Sequence, residues 1–165
     1  MAREMELVGV RVQMPTNAPI LLLREVEGDK RTLPIYIGGP EAHAIDLALS
    51  DTKTARPMTH DLVVNLLEQL NAKLERIVIT ELRQGTFYAD LYLRDVTDEV
   101  TTMSVRPSDA IALAVRLDTP IFADEALVDE AGIEADDDED EGDEEEMVEE
   151  LRKFLDEVNP EDFDS

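Results

Sequence analysis

The chain has no cysteine and no tryptophan among its 165 residues, and aromatic residues make up only 4% of it. Without cysteine there is no disulfide and no thiolate metal site. With so few rings, a single-strand binder that works mainly by base stacking is not expected. No apolar run is long enough to cross a bilayer. The opening "MAREMELVGVRV" lacks the apolar core of a signal peptide, so a cytoplasmic protein is expected. Several motifs are also missing. No GxxxxGK[ST] or GxGxxG phosphate loop, GxSxG elbow, HExxH or EF-hand register occurs. Histidine is scarce, with only His43 and His60.

Acid is abundant, and it is unevenly placed. Met1 to Ile133 holds 13 Lys and Arg against 22 Asp and Glu, a balance of −9. Glu134 to Ser165 holds 2 against 18, a balance of −16. The body has no basic run, which speaks against tight nonspecific duplex binding. Residues 134–146, "EADDDEDEGDEEE", are too poor in apolar residues to fold and read as a self-repelling linker. In 147–158, Met147, Val148, Leu151, Phe154, Leu155 and Val158 share one helical face, which predicts an amphipathic helix. That face is expected to dock on the body, on a second copy or on a protein partner. Residues 159–165 read as a flexible end.

The body, residues 1–133, reads as one α+β domain. Strands are predicted over 5–14, 19–26 and 31–37, with a hairpin turn at Glu27–Lys30. Gly38-Gly39-Pro40 ends the sheet, and Pro40 suits the first turn of a helix. Ala42, Ile45, Ala48 and Leu49 continue it at helical spacing. A second helix is predicted from Thr59, read as its N-cap, with Leu62, Val63, Leu66, Leu67 and Leu70 as its stripe. Strands at 74–82, 86–96 and 99–105 follow, then a helix from Arg106-Pro107-Ser108 to about Leu117 and a short strand in 119–124. The order is βββα, α, βββα and a strand. Ala44-Ile45 and Leu47–Leu49 match Ala110-Ile111 and Leu113–Val115 at a constant offset of 66, so the two βββα units read as a duplication. The short hairpins imply a mainly antiparallel sheet packed with helices.

Chemistry-bearing residues gather at the helix starts. His43, Asp46 and Ser50 share a non-apolar face of the first helix. Glu41 lies in its first turn, where its plain role is to complement the helix dipole. His60 and Asp61 open the second helix. Asp61 is explained by the dipole, but a histidine is not, since the positive helix end disfavours its cationic form. Arg56 precedes them, with a planar fork suited to phosphate. In "RPSD", Ser108 or Asp109 is expected to cap backbone N–H groups, and Arg106 to pair with an acid or hold a phosphate.

Four stretches in order, "LPIYIGGPEAHAIDLAL", "RPMTHDLVVNLL", "FYADLYL" and "RPSDAIALAVR", resemble the bifunctional nuclease domain family. The resemblance runs from about Met5 to Gly132. It falls on Glu41, Ala42, Arg56, Pro57, Thr59, His60, Asp61, Phe87, Arg106, Pro107, Ser108 and Asp109. It departs at Met103-Ser104-Val105, where the family often has an acid, and at Ser50-Asp51, where a glycine is common. The resemblance implies a compact α+β fold with internal duplication, self-association into a homo-oligomer, and hydrolysis of phosphodiester bonds in RNA and DNA. A divalent metal, Mg²⁺ or Mn²⁺, would be held by carboxylates among Glu41, Asp46, Asp61 and Asp109. His43 or His60 would serve as general acid or base, and Arg56, Arg106 and Ser108 would contact the substrate. The alternative is a non-catalytic binding or regulatory module with an acidic interaction tail. In either case the tail 134–146 is positioned in sequence to imitate nucleic acid.

Overall fold

The computed structural model describes residues 1–134. The acidic linker, the amphipathic helix and the end segment expected in 135–165 lie outside the described residues.

Seven strands and four helices are described. The strands are β1 (Ala2–Gln13), β2 (Ala18–Glu25), β3 (Thr32–Tyr36), β4 (Lys73–Arg83), β5 (Thr86–Arg94), β6 (Val100–Val105) and β7 (Ile121–Asp124). The helices are α1 (Gly39–Leu49), α2 (Thr59–Gln69), α3 (Pro107–Leu117) and α4 (Glu125–Ala131). All strands join one sheet in the order β3-β2-β1-β7-β4-β5-β6. Two antiparallel three-strand meanders therefore flank β7. β7 pairs antiparallel with β1 and parallel with β4, which is the sheet's single parallel pairing among the described residues. The fold is α+β, as expected.

The strand alternation sets the inner face. Leu21, Leu23, Leu33 and Ile35 on one side of β7, and Ile77, Ile79, Ala89 and Leu91 on the other, are buried with Ile121 and Ala123 between them. Period-2 placement puts these on one side of the sheet. Helix α3 lies over them and is enclosed on nearly every side. Pro107, Ser108 and every residue from Ala110 to Ala114 are buried. Its alanines let it pack closely, and α1 brings Ile45 to the same core, with Ala44 buried next to it in the helix. Each large apolar side chain buried here stabilises the fold by about 1.5–3 kcal/mol. Helix α2 is the outer helix and has no buried residue. Its stripe is split. Val63, Val64 and Leu67 pack on the core, whereas Leu62, Leu66 and Leu70 remain exposed.

Three local expectations change. The N-cap of α2 is Met58, not Thr59, and the Asp61 carboxylate accepts the Met58 backbone N–H at 2.9 Å. The N-cap of α3 is Arg106, and no side chain caps it, because Asp109 is engaged elsewhere and Ser108 is buried in the second position of the helix. Helix α4 was not foreseen. It begins where the Asp124 carboxylate accepts the Ala126 N–H at 3.0 Å.

Candidate active site at three helix starts

The starts of α1, α2 and α3 meet at one place, joined by side chains far apart in sequence. Arg106 stands at the N-cap of α3. Its Nε donates to Asp109 Oδ2 at 2.8 Å, and its Nη2 donates to Asp109 Oδ1 at 3.2 Å. The same Nη2 reaches Glu41 Oε1, in the first turn of α1, at 2.9 Å. From α2, His60 Nε2 meets Asp109 Oδ1 at 2.8 Å. One arginine, two carboxylates and one imidazole thus tie three helix ends together.

Local sequence explains each placement. Pro40 and Pro107 sit in the first turns of α1 and α3, where a missing N–H leaves no helical bond unmade. Gly38 gives Glu41 room. A Cβ at residue 38 would stand 2.2 Å from Glu41 Oε2, so any larger residue displaces that carboxylate. The buried body of α3 fixes where Arg106 and Asp109 emerge.

Exposure grades across the cluster. The His60 and Glu41 side chains are 13% and 16% exposed, Asp109 is 29% and Arg106 is 65%. Burial pushes the Asp109 carboxyl up, but hydrogen bonds from Arg106 and His60 outweigh it and hold it below the usual carboxylate range. The Arg106 guanidinium is held further above its ordinary value by Asp109 and then Glu41. An ionised Asp109 can only accept, so Nε2 of His60 carries the hydrogen toward it. In the neutral ring Nδ1 then holds the lone pair.

The other expected residues fall elsewhere. His43 and Asp46 are exposed on the outer face of α1, and neither joins the cluster. Asp61 points to α3, where its Oδ1 accepts from Arg116 Nε at 2.8 Å. That hydrogen bond, then the Met58 N–H, holds its carboxyl below the usual range. Arg56 is exposed just ahead of α2, with no side-chain partner among the described residues. Ser108 is buried, at 5% exposure, and joins no bond of the cluster. Arg116 was missed. It is the lone cation in an alanine-rich helix, and that isolation was its only trace in the sequence.

A family model for the bifunctional nuclease domain matches residues 21–136, well over half of the chain. The chain belongs to the bifunctional nuclease domain family. It is also 44% identical, over 97% of both chains, to an uncharacterized protein of Mycobacterium tuberculosis. It is 29% identical over 76% of its length to a rice protein (Oryza sativa subsp. japonica) called bifunctional nuclease 2, of which it spans 39%. An Arabidopsis thaliana protein of the same description is 28% identical over 69% of the chain, which spans 36% of that protein. The match begins inside β2 and takes in every residue of the helix-start cluster.

A divalent ion would need several free oxygen or imidazole donors at one point. Among the described residues no group of three or more His, Asp or Glu is arranged to hold one. Both carboxylates of this bifunctional nuclease domain's cluster are already bonded to Arg106, and Asp61 is bonded to Arg116. The donor set as folded does not fit a resident metal. No described helix is long and apolar enough to cross a membrane.

Proposed function

We propose that this chain hydrolyses phosphodiester bonds in RNA and DNA at the helix-start cluster. The observation that carries the reading is the His60–Asp109–Arg106–Glu41 network at 2.8–3.2 Å, within the region matched by the family. A nuclease needs a base for water, a proton for the leaving oxygen and positive charge on the phosphate. His60 supplies the first two. Its Nδ1 takes a proton from water while the water oxygen bonds to phosphorus. The bond from phosphorus to the leaving sugar oxygen then breaks, and the imidazolium returns its proton to that oxygen. The products are a phosphomonoester and a free hydroxyl. Asp109 holds the ring's tautomer and stabilises the imidazolium. Arg106 keeps Nη1 free of any protein bond among the described residues, and the exposed Arg56 stands near the same helix start, so both are suited to the phosphate oxygens.

The test is cleavage of single-stranded RNA and DNA by the purified protein, run in EDTA and again with Mg²⁺ or Mn²⁺. His60→Ala and Asp109→Asn should lose the activity while their circular dichroism matches the parent. Cleavage that survives both substitutions would assign it to another site or a contaminant. The same ion pairs also support a second reading, in which they only lock the helices together in a binding module. That reading predicts no turnover under any metal condition.

A further inference from the structure

Beside the cluster, on the other flank of the α2 start, lies a cleft that the proposed chemistry does not use. It is bounded by the end of α1, the loop 51–58, α2 and α3, and its volume is about 400 Å³. We propose that this cleft receives a nucleobase of a single-stranded nucleic acid, adjacent to the phosphate held at the helix starts. The proposal rests on the phosphodiester reading and adds to it a substrate subsite.

Charge argues first. The cleft is lined by two acids, Asp51 and Asp61, and two cations, Lys53 and Arg116. Its lining is neutral overall, so it does not select an anion such as phosphate. Surface decides next. Leu47, Ala48, Pro57 and Val115 give apolar walls, and the cleft has no aromatic lining. A neutral, flat ring with apolar faces and a polar edge fits such walls. Its size lies in the range of small-ligand pockets, roughly 300–1,000 Å³.

The floor is already held by hydrogen bonds. The Arg116 side chain is 10% exposed, with Nε on Asp61 at 2.8 Å and Nη1 on the Ala112 carbonyl at 2.9 Å. The free hydrogen-bonding groups belong to Asn65 and Lys53, neither of which has a side-chain partner among the described residues. The Asn65 amide offers a donor and an acceptor together. That is the pairing by which asparagine reads the edge of a base, adenine above all. A base received between the apolar walls of a cleft must leave its stack and its partner, which points to single strands.

The link to the cluster is the chain itself. His60 and Asp61 are successive residues of one helical turn, about 100° apart around its axis by the 3.6-residue repeat. His60 faces Asp109, whereas Asp61 faces the cleft floor. The Thr54 hydroxyl, at the cleft's edge, holds the Arg56 carbonyl at 2.5 Å, so the loop that rims the cleft also positions Arg56.

The proposal is tested by titrating ¹⁵N-labelled full-length protein with adenosine, with uridine and with inorganic phosphate. Nucleosides carry a base and no phosphate. They should shift the Asn65 side-chain amide and the backbone amides of residues 52–54, with adenosine binding more tightly than uridine. Asn65→Ala, an exposed substitution on α2, should weaken adenosine binding about tenfold, the loss of one edge contact. In cleavage assays the same variant should raise KM for single strands more than it lowers kcat. If nucleosides at millimolar concentration leave the cleft resonances unmoved, or if Asn65→Ala binds adenosine as the parent does, the subsite is refuted. The two readings fail separately. His60→Ala must still bind nucleosides, and nucleoside binding without any cleavage would remove the nuclease and keep the base site. Inorganic phosphate that shifts the cleft as strongly as adenosine would overturn the proposal in favour of an anion site.

Discussion

Glu25→Gln offers the sharpest check on the electrostatics of the fold. Glu25 ends β2 on the inner face of the sheet and is 1% exposed. Its carboxylate takes three donors from Arg31: Nε at 3.0 Å, Nη2 at 3.0 Å and the backbone N–H at 2.9 Å. Arg31 Nη1 continues to Asp129 of α4 at 2.9 Å. The pair closes the β2–β3 turn and fastens α4 to it. Glutamine keeps the shape but loses the charge, and it turns an amide N–H₂ toward a donor. Breaking a buried pair by removing one partner costs about 3–5 kcal/mol. Asp129 remains to neutralise Arg31, so the lower end applies, about 3 kcal/mol. For a body of this size that corresponds to a fall in Tm of about 10 °C. Urea denaturation at pH 7, with an unchanged m value, reads the difference directly. The sign in acid is fixed. Arg31 lowers the folded pKa of Glu25 below its ordinary 4.5. Its contribution is therefore complete above that value and is lost as pH falls through the lower folded value. The gap between parent and variant should close in acid. A gap under about 1 kcal/mol at pH 7, the size of an exposed pair, would refute the reasoning. So would a gap that is the same at pH 3 and pH 7.

Other expectations follow from the same geometry. His60→Ala should lower single-strand cleavage by about 10²–10⁴-fold, the range of general acid–base catalysis, with thermal stability read alongside. Gly38→Ala should push the Glu41 carboxylate off Arg106 and reduce cleavage without unfolding the protein, and a crystal structure showing that bond intact would count against the space argument. Ala112→Leu should cost about 1–3 kcal/mol or more by overpacking the enclosed α3, measured by denaturation. Deleting residues 134–165 should strengthen nucleic-acid binding most at low salt if the acidic segment competes for Arg56 and Arg106, and equal affinities at low salt would end that idea.

Most of the framework was readable because it rests on local pattern. Short apolar segments bounded by turn residues marked the six strands of the two meanders, with alternation only partial. At the Gln84-Gly85 turn both residues take positive φ, 51° and 76°, as a two-residue hairpin demands, and glycine suits the second of them. The polar face of α1 was also correctly placed, and for that reason His43 and Asp46 stand in solvent. What escaped was short or long in range. Helix α4 has seven residues, too few to show a period, and depends on the Asp124 cap. The side-chain cap expected of Asp109 failed because Arg106 and His60 hold its carboxylate, and that of Ser108 failed where its residue is buried in the second position of the helix. Asp109 meets His60 across 49 positions, and Arg106 meets Glu41 across 65. Residue types at helix starts are visible in a sequence, but which of them share a charge is a tertiary fact.

That sharing explains why two acids sit where a phosphate is proposed to bind. Each helix start carries about half a positive charge from its aligned peptide dipoles. Three such ends with Arg106 would place about +2.5 at one spot and drive the helices apart. Glu41 and Asp109 bring this to about +0.5, which lets the ends meet. The remainder is still positive in a body whose balance is −9. Arg56 adds to it without an acid of its own among the described residues. A single phosphodiester charge can therefore enter without displacing either carboxylate, because it meets the surplus rather than competing for the paired charge. A divalent cation meets the opposite situation. It would have to take oxygens from Arg106 and would leave that guanidinium beside a second positive centre. The arrangement thus favours the anion over the metal at this point, on the strength of which groups are already paired.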